Sequence, residues 1–231
     1  MGSNTKEFGC GVLDILPLAV SAAVFGAIYG MTSRQFGFPL WALVGMCMFI
    51  FAGSSQFMAA NVMHSGAGPL SAIMTIGVVN LRMLLLSTAL NERVKSDFSI
   101  SNRLVGAFFV TDESFATFYS ALEEGPPSKA RYVGSAVTMY TLWLIACVAG
   151  FRFGSFLPAK MASLLSFAFP ATFAAMVAPQ IKSKASLVAA LTAAIVAALC
   201  YFYIPGKVYI IAGCMTGSLA GVLVKTGGAS Q

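Results

Sequence analysis

Phe51-Ala52-Gly53-Ser54-Ser55-Gln56-Phe57 lies in the middle of a long apolar run, with small polar residues at its centre. Hydrocarbon offers backbone groups no hydrogen-bond partner, and each group left unpaired there is costly. Broken helix at membrane depth is therefore confined to places walled by protein or lining a water-filled cavity. Gly53-Ser54-Ser55-Gln56 reads as a helix break at a polar cavity. The rest of the chain reads as its support, and the expected function is membrane transport.

Composition sets the class. The chain is 58% apolar and only 10% charged, far below the quarter or so that soluble domains carry. Its apolar runs have helix-span length and no alternating ten-residue pattern recurs, which favours helices over a barrel. The net charge of +6 comes from Lys and Arg in short connections. That suits anionic lipid and topology signals and does not suggest nucleic acid. Cys10, Cys47, Cys147, Cys200 and Cys214 are scattered without metal-ligand spacing and read as small buried hydrophobes. Residues 1–7 lack a cleavable signal pattern, so the first apolar segment reads as a retained span. No metal or cofactor site is expected. No Ser/His/Asp set, HExxH, Walker loop or GxGxxG is present, and an enzyme is disfavoured.

The expected fold is an all-α integral membrane protein of about eight hydrophobic segments in one domain. Segment 1 covers about 13–30, with Pro17 in its first turn and Gly26 and Gly30 forming a GxxxG step. Segment 2 covers about 40–63 and holds the break. Segment 3, about 70–90, carries Asn80 and Arg82. Segment 4, about 104–122, is a linking segment that carries Thr111-Asp112-Glu113-Ser114. Segment 5 covers about 132–151. Segment 6, about 161–178, is interrupted by Pro170, and segment 7 covers about 187–204. Segment 8, about 208–224, is an extra C-terminal helix with the stripe Gly213, Gly217 and Gly221. That stripe is a packing face for a neighbouring helix or a partner subunit.

Phe167-Ala168-Phe169-Pro170-Ala171-Thr172-Phe173 partly echoes the opening stretch. Both lie in the second segment of a three-segment unit, 13–90 and 132–204. Paired interruptions at matching positions point to a transporter site. If all eight segments span, the basic residues of the connections divide almost evenly between the two sides. If segments 2 and 6 are re-entrant hairpins, Lys6, Arg93, Lys95, Arg103, Arg152, Lys160, Lys182, Lys184 and Lys225 fall inside. Only Arg34, Lys129, Arg131 and Lys207 then fall outside, in keeping with the positive-inside rule. This arrangement makes the two units an inverted repeat.

Arg82 is too deep to snorkel, and a charge at a helix centre costs about 2.5–3.5 kcal/mol on insertion scales. It needs a partner, and Asp112 or Glu113 is the candidate, serving substrate binding and proton coupling or simply fixing helix packing. Gly53, Ser54, Ser55 and Gln56 would present free N–H groups, hydroxyls and an amide to a substrate carboxylate. The plainer alternative is close helix packing through Gly and Ser. Asn80 and Thr111 are second-rank candidates, and Pro170 and Thr172 would form the opposite wall. His64 reads as a loop residue near the membrane surface rather than a proton relay.

At these residues the chain resembles the AzlC-type family of branched-chain amino acid exporters. The likeness rests on Phe51 to Phe57, on Val79-Asn80-Leu81-Arg82, on Thr111 to Ala116, and on Phe167 to Phe173 with its proline. It covers roughly Asp14 to Gly221. The resemblance implies a large permease subunit in a prokaryotic cytoplasmic membrane. It would export leucine, isoleucine, valine and possibly methionine, driven by protons and accompanied by a small AzlD-type membrane subunit. It directs attention to Ser54, Ser55, Gln56, Arg82, Asp112 and Glu113. The chain departs from the pattern at Met83, where many members carry histidine, and so lacks an Arg-His pair.

Two other function classes fit a membrane protein of this size. A passive channel needs a continuous polar lining, whereas polar residues occur here at only a few depths. A non-transporting scaffold would use the Gly213/Gly217/Gly221 face to hold a partner.

Overall fold

The computed structural model describes residues 2–66, 68–126, 128–154, 181, 183–203 and 208–227. The described residues are helical, with no strand among them. They fall into two compact units divided at residues 169 and 170. Segment 6, with Pro170, Ala171 and Thr172, lies outside the described residues.

The first unit is built on two long helices, α1 (Gly2–Gln35) and α7 (Lys129–Phe153). Glycines let their backbones meet. A Cβ on Gly11 would collide with the Arg131 carbonyl, one on Gly30 with the Cys147 carbonyl, and one on Gly150 with the Ala27 carbonyl. Gly26 faces Ala146 at 3.3 Å from an ideal Cβ. The Ser135 hydroxyl donates to the Gly11 carbonyl at 2.9 Å, and Arg131 Nε meets Asp14 Oδ2 at 2.6 Å. Residue numbers rise together along both helices, so α1 and α7 run in the same direction. Phe8 and Gly11 take part in this contact, which draws the N-terminal residues into α1. Pro17 therefore sits inside the helix rather than in a first turn.

Segment 2 is two half-helices, α2 (Leu40–Phe49) and α3 (Gly53–His64), separated by Ile50-Phe51-Ala52. The break thus precedes Gly53, and Gly53-Ser54-Ser55-Gln56 is the first turn of α3. His64 stacks on Phe36 at 3.9 Å between ring centroids. The chain has returned to the end of α1 from which it left, as the re-entrant reading required. α4 (Pro69–Val94) then runs back towards the start of α1 and α7.

Segment 4 is also broken, which the sequence reading did not anticipate. α5 (Ile100–Phe108) and α6 (Asp112–Glu124) flank Phe109-Val110-Thr111. Phe118 of α6 packs on Tyr132 of α7 at 4.8 Å, and Phe98, just before α5, packs on Phe118 at 6.4 Å. This hairpin therefore opens towards the end where α1 and α7 begin. Asn4, Glu7, Asp97, Gly125 and Arg131 share one cavity there. Because segment 4 turns back instead of crossing, segment 5 starts on the side where segment 1 starts. Segments 1 and 5 therefore run in the same direction and not in the opposite directions expected from the sequence. The opposed pair in this unit is instead α1 with α2/α3 against α4 with α5/α6.

The two hairpin tips meet in an aromatic cluster. Phe51 lies 5.0 Å from Tyr140 and 6.3 Å from Phe109, and Phe108 lies 6.4 Å from Phe51. The end where α1 and α7 begin carries Lys6, Arg93, Lys95, Arg103, Lys129 and Arg131; the other end carries Arg34 and Arg152.

In the second unit α8 (Lys184–Tyr203) packs antiparallel on α9 (Val208–Gly227). Cβ atoms on Gly213, Gly217 and Gly221 would stand 2.7–3.0 Å from atoms of Ala189 and Ala193. A glycine stripe thus meets an alanine stripe. Among the described residues, four helices are long and apolar enough to cross a membrane, at Asn4–Gln35, Ala72–Val94, Lys129–Phe153 and Lys184–Tyr203.

Candidate functional site

The first turn of α3 is positioned by α7 and α4. Gly53 allows the approach of Trp143, whose ring carbon would be 2.7 Å from a Cβ at that position. Trp143 Nε1 donates to Gln56 Oε1 at 3.0 Å, in a buried contact. Ser55 Oγ donates to Asn80 Oδ1 at 2.6 Å. Ser54 Oγ and Gln56 Nε2 are buried without a hydrogen-bond partner among the described residues. Gln56 N bonds the Ala52 carbonyl, and no side chain caps the helix. No acidic residue stands in its first turn, so the positive end of its dipole is uncompensated.

The start of α6 differs. Thr111 and Ser114 form a reciprocal capping box, with Thr111 N donating to Ser114 Oγ at 2.8 Å and Ser114 N to Thr111 Oγ1 at 3.2 Å. Asp112 and Glu113 occupy the first turn, where acids complement the dipole. Arg82 Nη2 reaches Asp112 Oδ2 at 2.7 Å, and both side chains stay about a third exposed (35% and 29%). Asp112 takes this pair and Glu113 does not.

α4 links the two starts. Asn80 and Arg82 are two residues apart, roughly 3 Å along the axis and on different faces. One bonds α3 and the other bonds α6. The N-termini of two half-helices thus lie at nearly the same depth, one bare and one carrying two carboxyl groups. Of the expected residues, the structure joins Ser55 with Asn80 and Arg82 with Asp112. Gln56 and Gly53 turn instead to Trp143. Pro170 and Thr172 lie outside the described residues.

Sequence reasoning missed Trp143 as the partner of Gln56, and nothing local to residue 143 announces that contact. It also missed the break before Asp112. Thr-Asp-Glu-Ser is an N-cap followed by first-turn acids and could have located that helix start.

The AzlC protein family profile matches residues 17–157, more than half of the chain. The chain belongs to the AzlC family. The inner membrane protein YgaZ of Escherichia coli is 31% identical over 225 residues, covering 93% of this chain and 90% of that relative. An uncharacterized membrane protein of Archaeoglobus fulgidus is 26% identical, covering 94% of this chain and 95% of its own length. The branched-chain amino acid transport protein AzlC of Bacillus subtilis is 26% identical over 142 residues, covering 61% of this chain and 55% of that protein. No solved structure matches the chain significantly. This AzlC family member is a multi-pass transport protein of a prokaryotic inner membrane.

Proposed function

We propose that this AzlC family member is a secondary exporter of branched-chain and other apolar amino acids, driven by protons. The observation that carries this reading is the bare N-terminus of α3. Ser54 Oγ and Gln56 Nε2 are buried there without partners among the described residues, beside helix N–H groups that attract an anion. A substrate carboxylate satisfies these donors. Asp112 or Glu113 receives the ammonium group or exchanges a proton, and Arg82 sets which of the two is free. Phe57 and Phe115 contact the apolar side chain. The similarity to the branched-chain amino acid transport protein of Bacillus subtilis supports the substrate class.

The basic end of the first unit is assigned to the cytoplasm by the positive-inside rule. The α5/α6 hairpin then opens inwards and the α2/α3 hairpin outwards. Transport alternates access to the midplane between them, with the Phe51, Phe108, Phe109 and Tyr140 cluster as the seal.

The test is a leucine dipeptide challenge in cells lacking their own exporters, with and without a small AzlD-type subunit. Expression is expected to lower the free leucine pool, and collapse of the proton gradient to abolish the effect. An unchanged pool in both backgrounds refutes export. Efflux insensitive to the gradient refutes coupling.

A further inference from the structure

A second cavity lies away from the α3 start, between the C-terminal half of α4, both limbs of the α5/α6 hairpin and the first turn of α7. Its volume is about 380 Å³, within the ~300–1,000 Å³ typical of small-molecule sites. Val94, Phe98, Val110 and Phe118 form its apolar wall, and Asn91 and Arg103 its polar edge. No Asp or Glu lines it among the described residues. Arg103 Nη1 donates to Asn91 Oδ1 at 2.8 Å. Its Nε is buried with no partner, and no carboxylate lies within ion-pair distance of this guanidinium among the described residues. Asn91 is neutral, so the charge is uncompensated. A guanidinium without a counter-charge takes a carboxylate or phosphate as its partner.

We propose that this cavity binds an apolar molecule headed by an anionic group, with the head on Arg103 and the body against Phe98 and Phe118. A branched-chain carboxylate and an anionic lipid share that chemistry. The site differs from the α3/α6 midplane in having no acid to receive an ammonium group. It therefore accepts a molecule lacking the amino group, which the transport site does not match. An uncompensated guanidinium at an apolar-walled cavity is costly, and a bound anion removes that cost.

The test uses the full chain in phosphatidylcholine nanodiscs and radiolabelled 4-methylpentanoate as the probe. Saturable binding is expected. Arg103→Gln should weaken it at least about tenfold, and Arg103→Lys should retain part of it because a point charge remains. Ala107→Phe, which fills the cavity without touching the charge, should weaken it as well. Repeating the titration in phosphatidylglycerol nanodiscs separates the sources. Competition by this lipid assigns the natural occupant to the bilayer; unchanged binding assigns it to a soluble carboxylate. Absence of binding in phosphatidylcholine, or equal binding by the native chain, Arg103→Gln and Ala107→Phe, overturns the proposal.

Discussion

Gln56 accepts from the Trp143 indole at 3.0 Å and keeps its own amide nitrogen buried without a partner among the described residues. Trp143→Phe removes the donor and strands a buried acceptor, which costs about 1–3 kcal/mol. Thermal unfolding in detergent should show the loss, with Trp41 left as the remaining tryptophan fluorophore. The Arg82–Asp112 pair calls for a different test, because removing one charge at this depth leaves the other without its partner. Asp112→Asn should reduce leucine efflux about tenfold or more, the loss of roughly 1.4 kcal/mol of productive interaction. Arg82→Gln combined with Asp112→Asn should fold like the native chain yet fail to transport. Native-level efflux by that double variant would make the pair a packing device. Arg82 needed a partner on sequence grounds alone, since a charge in a helix centre demands one. Which carboxyl group it takes depends on how α6 is rotated against α4.

Helices α1 and α7 touch through backbone, so their interface tolerates no added volume at the crossing glycines. Gly30→Val would drive a side chain into the Cys147 carbonyl and should prevent recovery of monodisperse protein. Gly45→Ala in α2 meets nothing within 4 Å and should be neutral or slightly stabilising, which makes it the matched control. At the start of α6, Thr111→Val removes the N-cap hydroxyl. It should cost about 1 kcal/mol, read as a lower unfolding temperature. The apolar segments were legible in the sequence because lipid demands continuous runs of fixed length. The break in segment 4 was harder to read. Its polar residues read equally as charges within a helix or as the cap and first turn of a new one.

Across the first unit, the α2/α3 and α5/α6 hairpins return to opposite ends. Single cysteines test that arrangement. Ser65→Cys and Gly125→Cys should be labelled by a membrane-impermeant reagent from opposite faces, with Gly125→Cys on the face of residue 4. Labelling of both from one face would refute the opposed hairpins. Among the described residues the same arrangement places six basic residues at one end of the unit and two at the other. The folded unit thus separates the basic residues by end, although the assignment of loops to sides differs from the sequence expectation. That assignment hinges on whether each segment crosses, and a hairpin and a span of similar length have nearly the same composition.

Read alone, the chain specified an all-α membrane protein, the apolar segments, the unusual polarity at Gly53 to Gln56 and the need for an Arg82 partner. Each follows from a cost that hydrocarbon imposes on individual residues or short runs. The pairing of Ser55 with Asn80, the choice of Asp112, the seat of Gln56 on Trp143 and the common direction of α1 and α7 came only from the folded chain. They depend on contacts between residues far apart in sequence, where helix rotation and backbone approach decide which groups meet. Hydropathy records how much each segment prefers lipid and carries no information about which face another helix will cover.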